Sequence, residues 1–244
     1  MMKRRVRLTV CLLLAMALFS VPVLETEAEE KPYKQPIQVI LSQLAQHSGS
    51  MEYTGTGVSF PSRDEAVDFI EYFYRNGYWG QEKVLLAVMN RSDEPDVHQI
   101  GILTSDAKKA IRQHRDVEAV LQAAALQIEE QDISSREKAE LAYQWVYGQL
   151  EYDYELKNLD LYTSLMTGKS VCYGFASSFH ILCGMLGLES EMVYGANHVW
   201  NRVKIDNEWQ YVDITWNKNL GEHRFLFLKE EKWKKVHPLA QEAQ

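Results

Sequence analysis

Cysteine is scarce in this chain: there are three among 244 residues, and one of them, Cys11, lies in an N-terminal apolar run. The other two, Cys172 and Cys183, are too few for the disulfide framework that staples small exported domains. They do not pair with each other if both lie on one helix. Eleven residues put them about 16 Å apart along the axis, whereas a disulfide needs Cα atoms within about 7 Å. Positive charge is also short, with 26 Lys and Arg against 34 Asp and Glu. That balance argues against binding nucleic acid or an anionic membrane surface. No second apolar run long enough to span a bilayer follows the first. The scattered histidines and two cysteines show no metal-ligand spacing, and no cofactor is expected.

The N-terminus has the layout of a secretory signal peptide. Lys3, Arg4, Arg5 and Arg7 form a basic region, Leu8 to Leu24 is apolar, and Thr26-Glu27-Ala28 offers small residues for cleavage after Ala28. The rival reading is an uncleaved anchor, because an apolar run of about 17 residues is at the short edge of what crosses a bilayer. Without residues 1–28 the chain holds 22 bases and 32 acids, a net of −10. We therefore expect an exported protein, free of the membrane after cleavage. Its length fits one domain with an N-terminal extension. The apolar content of 46% and six Trp are enough for a sizeable core.

The patterning predicts alternating elements. Residues 37–44 read as a short helix or strand, and Tyr53 to Phe60 as a strand. Ser62 with Glu65 has capping-box spacing and starts a helix that Asn76-Gly77 ends. Val84 to Met89 and His98 to Leu103 read as strands around a turn at residues 90–96. A long helix runs from Asp106 to about Glu130, and a second capping box, Ser134 with Glu137, opens the next. Ser164 to Gly168 is a short element with a glycine turn. Cys172 to Leu186 is an apolar helix closed by Gly187. Glu191 to Tyr194 is a strand. His198 to Ile205 and Glu208 to Trp216 form a hairpin about Asp206-Asn207, and Phe225 to Leu228 is a last strand.

Cys172, His198 and Asp213 are the candidate catalytic residues. A thiol, an imidazole and a carboxylate are the parts of a cysteine nucleophile: the thiolate attacks, the imidazole moves the proton, and the carboxylate holds the imidazole tautomer. A free thiol is mostly protonated at neutral pH. The first turn of a helix favours the thiolate, and a nearby imidazolium favours it more. The same helix end offers the Cys172 N–H to a developing oxyanion. A turn at Asp206-Asn207 makes Asp213 face Trp200. His198, two residues from Trp200, then lies on the same face, within diagonal reach of the carboxylate. Taken singly, each residue is more often structural. An unpaired buried carboxylate is costly, so Asp213 on an aromatic strand asks for a partner. His180 reads as core or surface, and Cys183 as a small core residue.

These blocks resemble the transglutaminase-like superfamily of papain-like cysteine enzymes. The matching stretches are Tyr162-Thr-Ser-Leu165, Gly168-Lys-Ser-Val-Cys172-Tyr-Gly-Phe-Ala176, His198-Val-Trp-Asn201 and Trp209-Gln-Tyr-Val-Asp213-Ile-Thr-Trp216. The resemblance implies an α+β, papain-like core with the nucleophile helix packed on an antiparallel sheet, here behind an N-terminal α/β extension. It implies Cys172 as nucleophile, His198 as general base and acid, and Asp213 as the orienting group. It also implies an oxyanion donor from an upstream side chain, for which Tyr152 is a candidate that the local pattern does not assign. The chain shows no calcium-ligand cluster of the animal cross-linking enzymes.

The expected organisation is a signal peptide at 1–28, an extension at 29–130 and a catalytic core at 131–244. The expected function is cysteine-dependent acyl transfer on a peptide or protein amide, as peptidase, amidase or cross-linker. The alternative is a non-catalytic binding module of the same fold at the cell surface.

Overall fold

The buried apolar residues fall into two large clusters, and one long helix, Ala107–Glu129, contributes to both. The computed structural model describes residues 33–46, 50–75, 84–90, 97–129 and 133–239. The signal segment 1–28 and the turns expected at Asn76-Gly77 and at residues 91–96 lie outside the described residues.

The first cluster is built by helix α1 (Lys34–Gln46), strand β1 (Ser50–Phe60), helix α2 (Arg63–Arg75) and strands β2 (Val84–Asn90) and β3 (His98–Thr104). The strands form an antiparallel sheet in the order β1-β3-β2. Residues 37–44, open between helix and strand on sequence, are helical. Ile37, Ile40 and Leu44 recur at helical spacing and are all buried. The Glu65 N–H donates to Ser62 Oγ at 3.2 Å at the start of α2. β1 slips register between Gly55 and Ser59, where Gly57 adopts φ +78°, a conformation that suits a residue without Cβ.

The second cluster begins on the C-terminal half of α3 (Ala107–Glu129) and continues through α4 (Ser135–Gln149). Ser134 and Glu137 cap α4 reciprocally. Then come β4 (Glu151–Tyr152), α5 (Leu161–Thr167), β5 (Lys169–Ser170), α6 (Cys172–Met185), β6 (Ser190–Tyr194), β7 (Val199–Ile205), β8 (Glu208–Val212), α7 (Ile214–Leu220), β9 (Leu228–Lys229) and α8 (Glu230–Val236). β6-β7-β8-β9 is an antiparallel sheet, and β4 and β5 are a short parallel pair. Helix α6 is apolar on most of its circumference, as a helix enclosed by other elements must be. It buries Phe175, Phe179 and Leu182 completely. Each such side chain contributes roughly 1.5–3 kcal/mol of burial. The whole is α+β, with the Cys172 helix lying on the antiparallel sheet.

The end of the chain departs from the sequence reading. The strand expected to run to Trp216 stops at Val212, because Asp213 caps a helix there: its carboxylate accepts the Trp216 N–H at 2.9 Å. The strand expected at Phe225 to Leu228 is only Leu228–Lys229. Phe225 is held elsewhere, donating its N–H to Asn217 Oδ1 at 2.8 Å and accepting the Asp213 N–H at 3.0 Å, and Phe227 turns the chain at φ +48°. Helix α8, which follows, was not anticipated.

Candidate active site

Cys172 is the first residue of α6. Val171 precedes it in extended conformation and makes no side-chain cap; the Gly174 N–H turns back to the Val171 carbonyl at 3.2 Å, and the Tyr173 N–H faces the Cys172 thiol. Gly174, one residue beyond Tyr173, lets this turn sit against two buried serines. A Cβ there would lie 2.0 Å from Ser170 Oγ and 2.5 Å from Ser164 Oγ. Those hydroxyls lie 2.8 Å apart, and each has a carbonyl to donate to, Ser164 that of Asp160 at 2.6 Å and Ser170 that of Val171 at 2.8 Å. The nucleophile turn is thus seated on a satisfied polar pair. On the far side, buried Asn201 of β7 donates to the Ala176 carbonyl at 3.0 Å and ties the sheet to α6.

The hairpin carries the other two candidates. Asp206 and Asn207 both adopt positive φ in the two-residue turn. The ladder pairs Ile205 with Glu208 and runs in register to Asn201 opposite Val212. One step further the chains leave the ladder, and there Asp213 meets His198: Nε2 of the imidazole lies 2.6 Å from Oδ2 of the carboxylate. Cys172 lies close enough to His198 for the imidazole and its charge to favour the thiolate. The imidazole is tilted against the rings of Trp200 and Trp216, at centroid distances of 5.8 and 5.9 Å.

The electrostatics follow from these contacts. Burial alone would raise the Cys172 pKa. The His198 bond and charge, with the Val199 and Tyr173 N–H groups, outweigh it and hold the thiol below its ordinary value. Burial would lower the pKa of His198. Bonds to Asp213 and Cys172 and their charges push it up to about 9. Asp213 is fully buried, yet His198, His237 and the Trp216 N–H keep its carboxyl below the usual range. All three shifts favour a thiolate facing an imidazolium. Tyr152 of β4 pairs with Ser170 across the parallel ladder and interacts electrostatically with Cys172. Burial, and then the neighbouring Cys172, raise its hydroxyl pKa, so it stays a donor.

Cys183 is free and fully buried, and burial pushes its thiol up. His180 sits half-buried beside Ser190, Nδ1 to Oγ 2.8 Å. A fourth residue at the site was missed in the sequence: His237, completely buried, brings Nε2 to 3.1 Å from the same Asp213 Oδ2. The one signal for it was Trp233 four residues earlier, a helical stacking spacing, with Pro238 directly behind. The donor atoms of His198, Asp213 and His237 lie within 4.8 Å of one another. They would hold one cation only by giving up both hydrogen bonds to Oδ2.

Comparison with known proteins agrees with this arrangement. Residues 122–214 match the family model of the transglutaminase-like superfamily. Kyphoscoliosis peptidase of Mus musculus is 27% identical over 133 residues, covering 43% of this chain and 20% of that protein. The Homo sapiens protein is 26% identical over 130 residues, covering 42% and 19%. The chain thus spans about a fifth of the length of these relatives. A solved structure of a TGase is 18% identical, covering 68% of this chain and 52% of that one at a TM-score of 0.36. The matched stretch holds Cys172, His198 and Asp213 and stops short of His237.

Proposed function

We propose that this chain is an exported, cysteine-dependent acyl-transfer enzyme acting on peptide or protein amides. The observation that carries the reading is the 2.6 Å bond of His198 to buried Asp213, with the Cys172 thiol beside that imidazole at the start of α6. Relatives bearing the names peptidase and TGase support the same class of chemistry.

Cys172 Sγ attacks the amide carbonyl as a thiolate, and the carbonyl oxygen takes up the negative charge. The Cys172 N–H, and Tyr152 from the neighbouring strand, are the donors placed to stabilise that oxyanion. His198, protonated at neutral pH, gives its Nδ1 proton to the leaving amine as the C–N bond breaks, which leaves a Cys172 thioester. The neutral imidazole then takes a proton from the acceptor, water or an amine, as it attacks. Asp213 holds the Nε2–H throughout. Water makes the protein a peptidase or amidase, and an amine makes it a cross-linker.

The test is iodoacetamide labelling at neutral pH, with Cys172→Ala and His198→Ala controls. Wild type should label faster than a free thiol and faster than His198→Ala. Equal labelling of wild type and His198→Ala overturns the activated nucleophile and leaves a binding module of the same fold. A peptide library incubated with an amine donor then separates the acceptors by mass, because cleavage, deamidation and cross-linking leave different shifts.

A further inference from the structure

His237 stands out among the groups the mechanism does not use. It is the C-cap of α8, its N–H bonded to the Trp233 carbonyl at 2.9 Å. Pro238 follows it and disfavours further helix. Its ring stacks on Trp233 at 3.9 Å between centroids and 15° between planes, and lies 4.8 Å from Trp216 and 4.9 Å from Trp200. Its backbone and ring plane are therefore fixed independently of Asp213. An ionised carboxylate only accepts, so the Nε2 that points at Oδ2 carries the hydrogen. Nδ1 is buried with no hydrogen-bond partner among the described residues. An aromatic slot that only needed filling would be better served by Phe, because an unsatisfied buried nitrogen is costly.

We propose that His237 is a positioning residue for the Cys172 site, donating Nε2–H to Asp213 Oδ2 so that the carboxylate is locked in rotamer and shares that oxygen between two imidazoles. Oδ1 is held by the Trp216 N–H, so both carboxylate oxygens are fixed from the protein side. The carboxylate can then neither swing from His198 nor concentrate its charge on it. α8, at the end of the described chain, thereby becomes part of the reacting apparatus, although it touches neither the thiol nor its substrate path. The inference rests on the proposed role of Asp213 in orienting His198. The titratable groups that bear on this pair are Cys172 from α6 and His237 behind α8; the Asp213 charge in turn helps to raise the pKa of Tyr143 from α4, which stays neutral.

The test is nitrogen NMR of the full chain labelled at histidine. In wild type His237 should show a protonated Nε2; a His237 protonated at Nδ1 alone overturns the proposal without any variant. In His237→Phe, which keeps the stack and loses the donor, Oδ2 serves His198 alone. The His198 titration midpoint should then rise by about half a unit or more, as expected when a competing donor leaves a carboxylate. An unchanged midpoint in a variant with native near-ultraviolet circular dichroism shows that His237 only fills space. If His237→Phe does not fold, the wild-type tautomer decides. Slow labelling of wild-type Cys172 would instead sink the acyl-transfer reading, and the His198 titration would still report on His237.

Discussion

The two clusters bury different kinds of side chain. The N-terminal one, on the β1-β3-β2 sheet, is filled by Ile37, Ile40, Leu44, Phe69, Phe73, Ile100 and Ile102, and its buried Thr56 is used locally, donating to the Ile100 carbonyl. Around α6 and β6-β7-β8-β9 the protein also buries Ser164, Ser170, Asn201, Asp213, Asn217 and His237, nearly all bonded to one another or to backbone. Burying such groups costs free energy unless they are paired. A fold tolerates that cost where apolar packing cannot aim a reacting atom. The N-terminal layer therefore reads as support, and the second as a place where stability is exchanged for orientation.

The largest test of that contrast is Asp213→Asn. It keeps the shape and removes the charge, so reactivity should fall by about three to four orders of magnitude, as when the orienting carboxylate of a triad is neutralised. Turnover, or the alkylation rate of Cys172, measures it. Unchanged rates would mean the carboxylate is structural. Phe69→Ala in the N-terminal core should do the opposite. We expect a loss of about 3–5 kcal/mol in denaturant unfolding, with the Cys172 alkylation rate of the folded fraction unchanged. A matching drop in alkylation would show that the two layers are coupled.

Gly174→Ala sits at the join between packing and chemistry. Its Cβ would meet Ser170 Oγ at 2.0 Å, so we expect a loss of about 1–3 kcal/mol as for overpacked cores, with slower labelling because the Cys172 turn must move. A variant that labels at the native rate would show that the seat on Ser164 and Ser170 does not aim the thiol.

pH separates the two layers a second way. The raised His198 pKa contributes stability that is full below its unfolded value of about 6.5 and is lost as pH rises through about 9. Turnover should fall over the same range as the leaving group loses its acid. The lowered Asp213 pKa contributes stability present above about 3.9 and lost as pH falls through its folded value. Unfolding curves of wild type and His198→Ala should converge above pH about 9, and parallel curves would refute this assignment. The smallest effect belongs to the surface: Lys204→Ala breaks the 2.9 Å pair with Glu189 and should cost less than about 1 kcal/mol, measured as a small shift in unfolding midpoint.

Much of the site was legible because its signals are local. Cys172 reads as a helix start from the apolar run behind it, and Ser134 with Glu137 as a cap from their spacing alone. The Asp206-Asn207 turn sets the strand register, so the approach of Asp213 to His198 was computable before any fold was known. The misreadings share a cause. Ile214–Leu220 and Glu230–Val236 are seven residues long, too short for helical periodicity to stand out, the first behind an aromatic run that mimics a strand and the second in a charged stretch with a single Trp. Such short helices do not persist by propensity; they exist because Asp213 caps one and Trp233 packs the other into Trp200, Tyr211 and Phe225.

The order of residues therefore settles the start of the Cys172 helix and the hairpin register, and it singles out the candidate thiol, imidazole and carboxylate, since each depends on neighbours within a few positions. The depth of Asp213, the contact of His198 with two indoles and the arrival of His237 at the same oxygen belong to the folded chain. The last of these depends on residues 24 positions apart meeting across a packed interior, where desolvation turns an ordinary hydrogen bond into one that holds a charge in place.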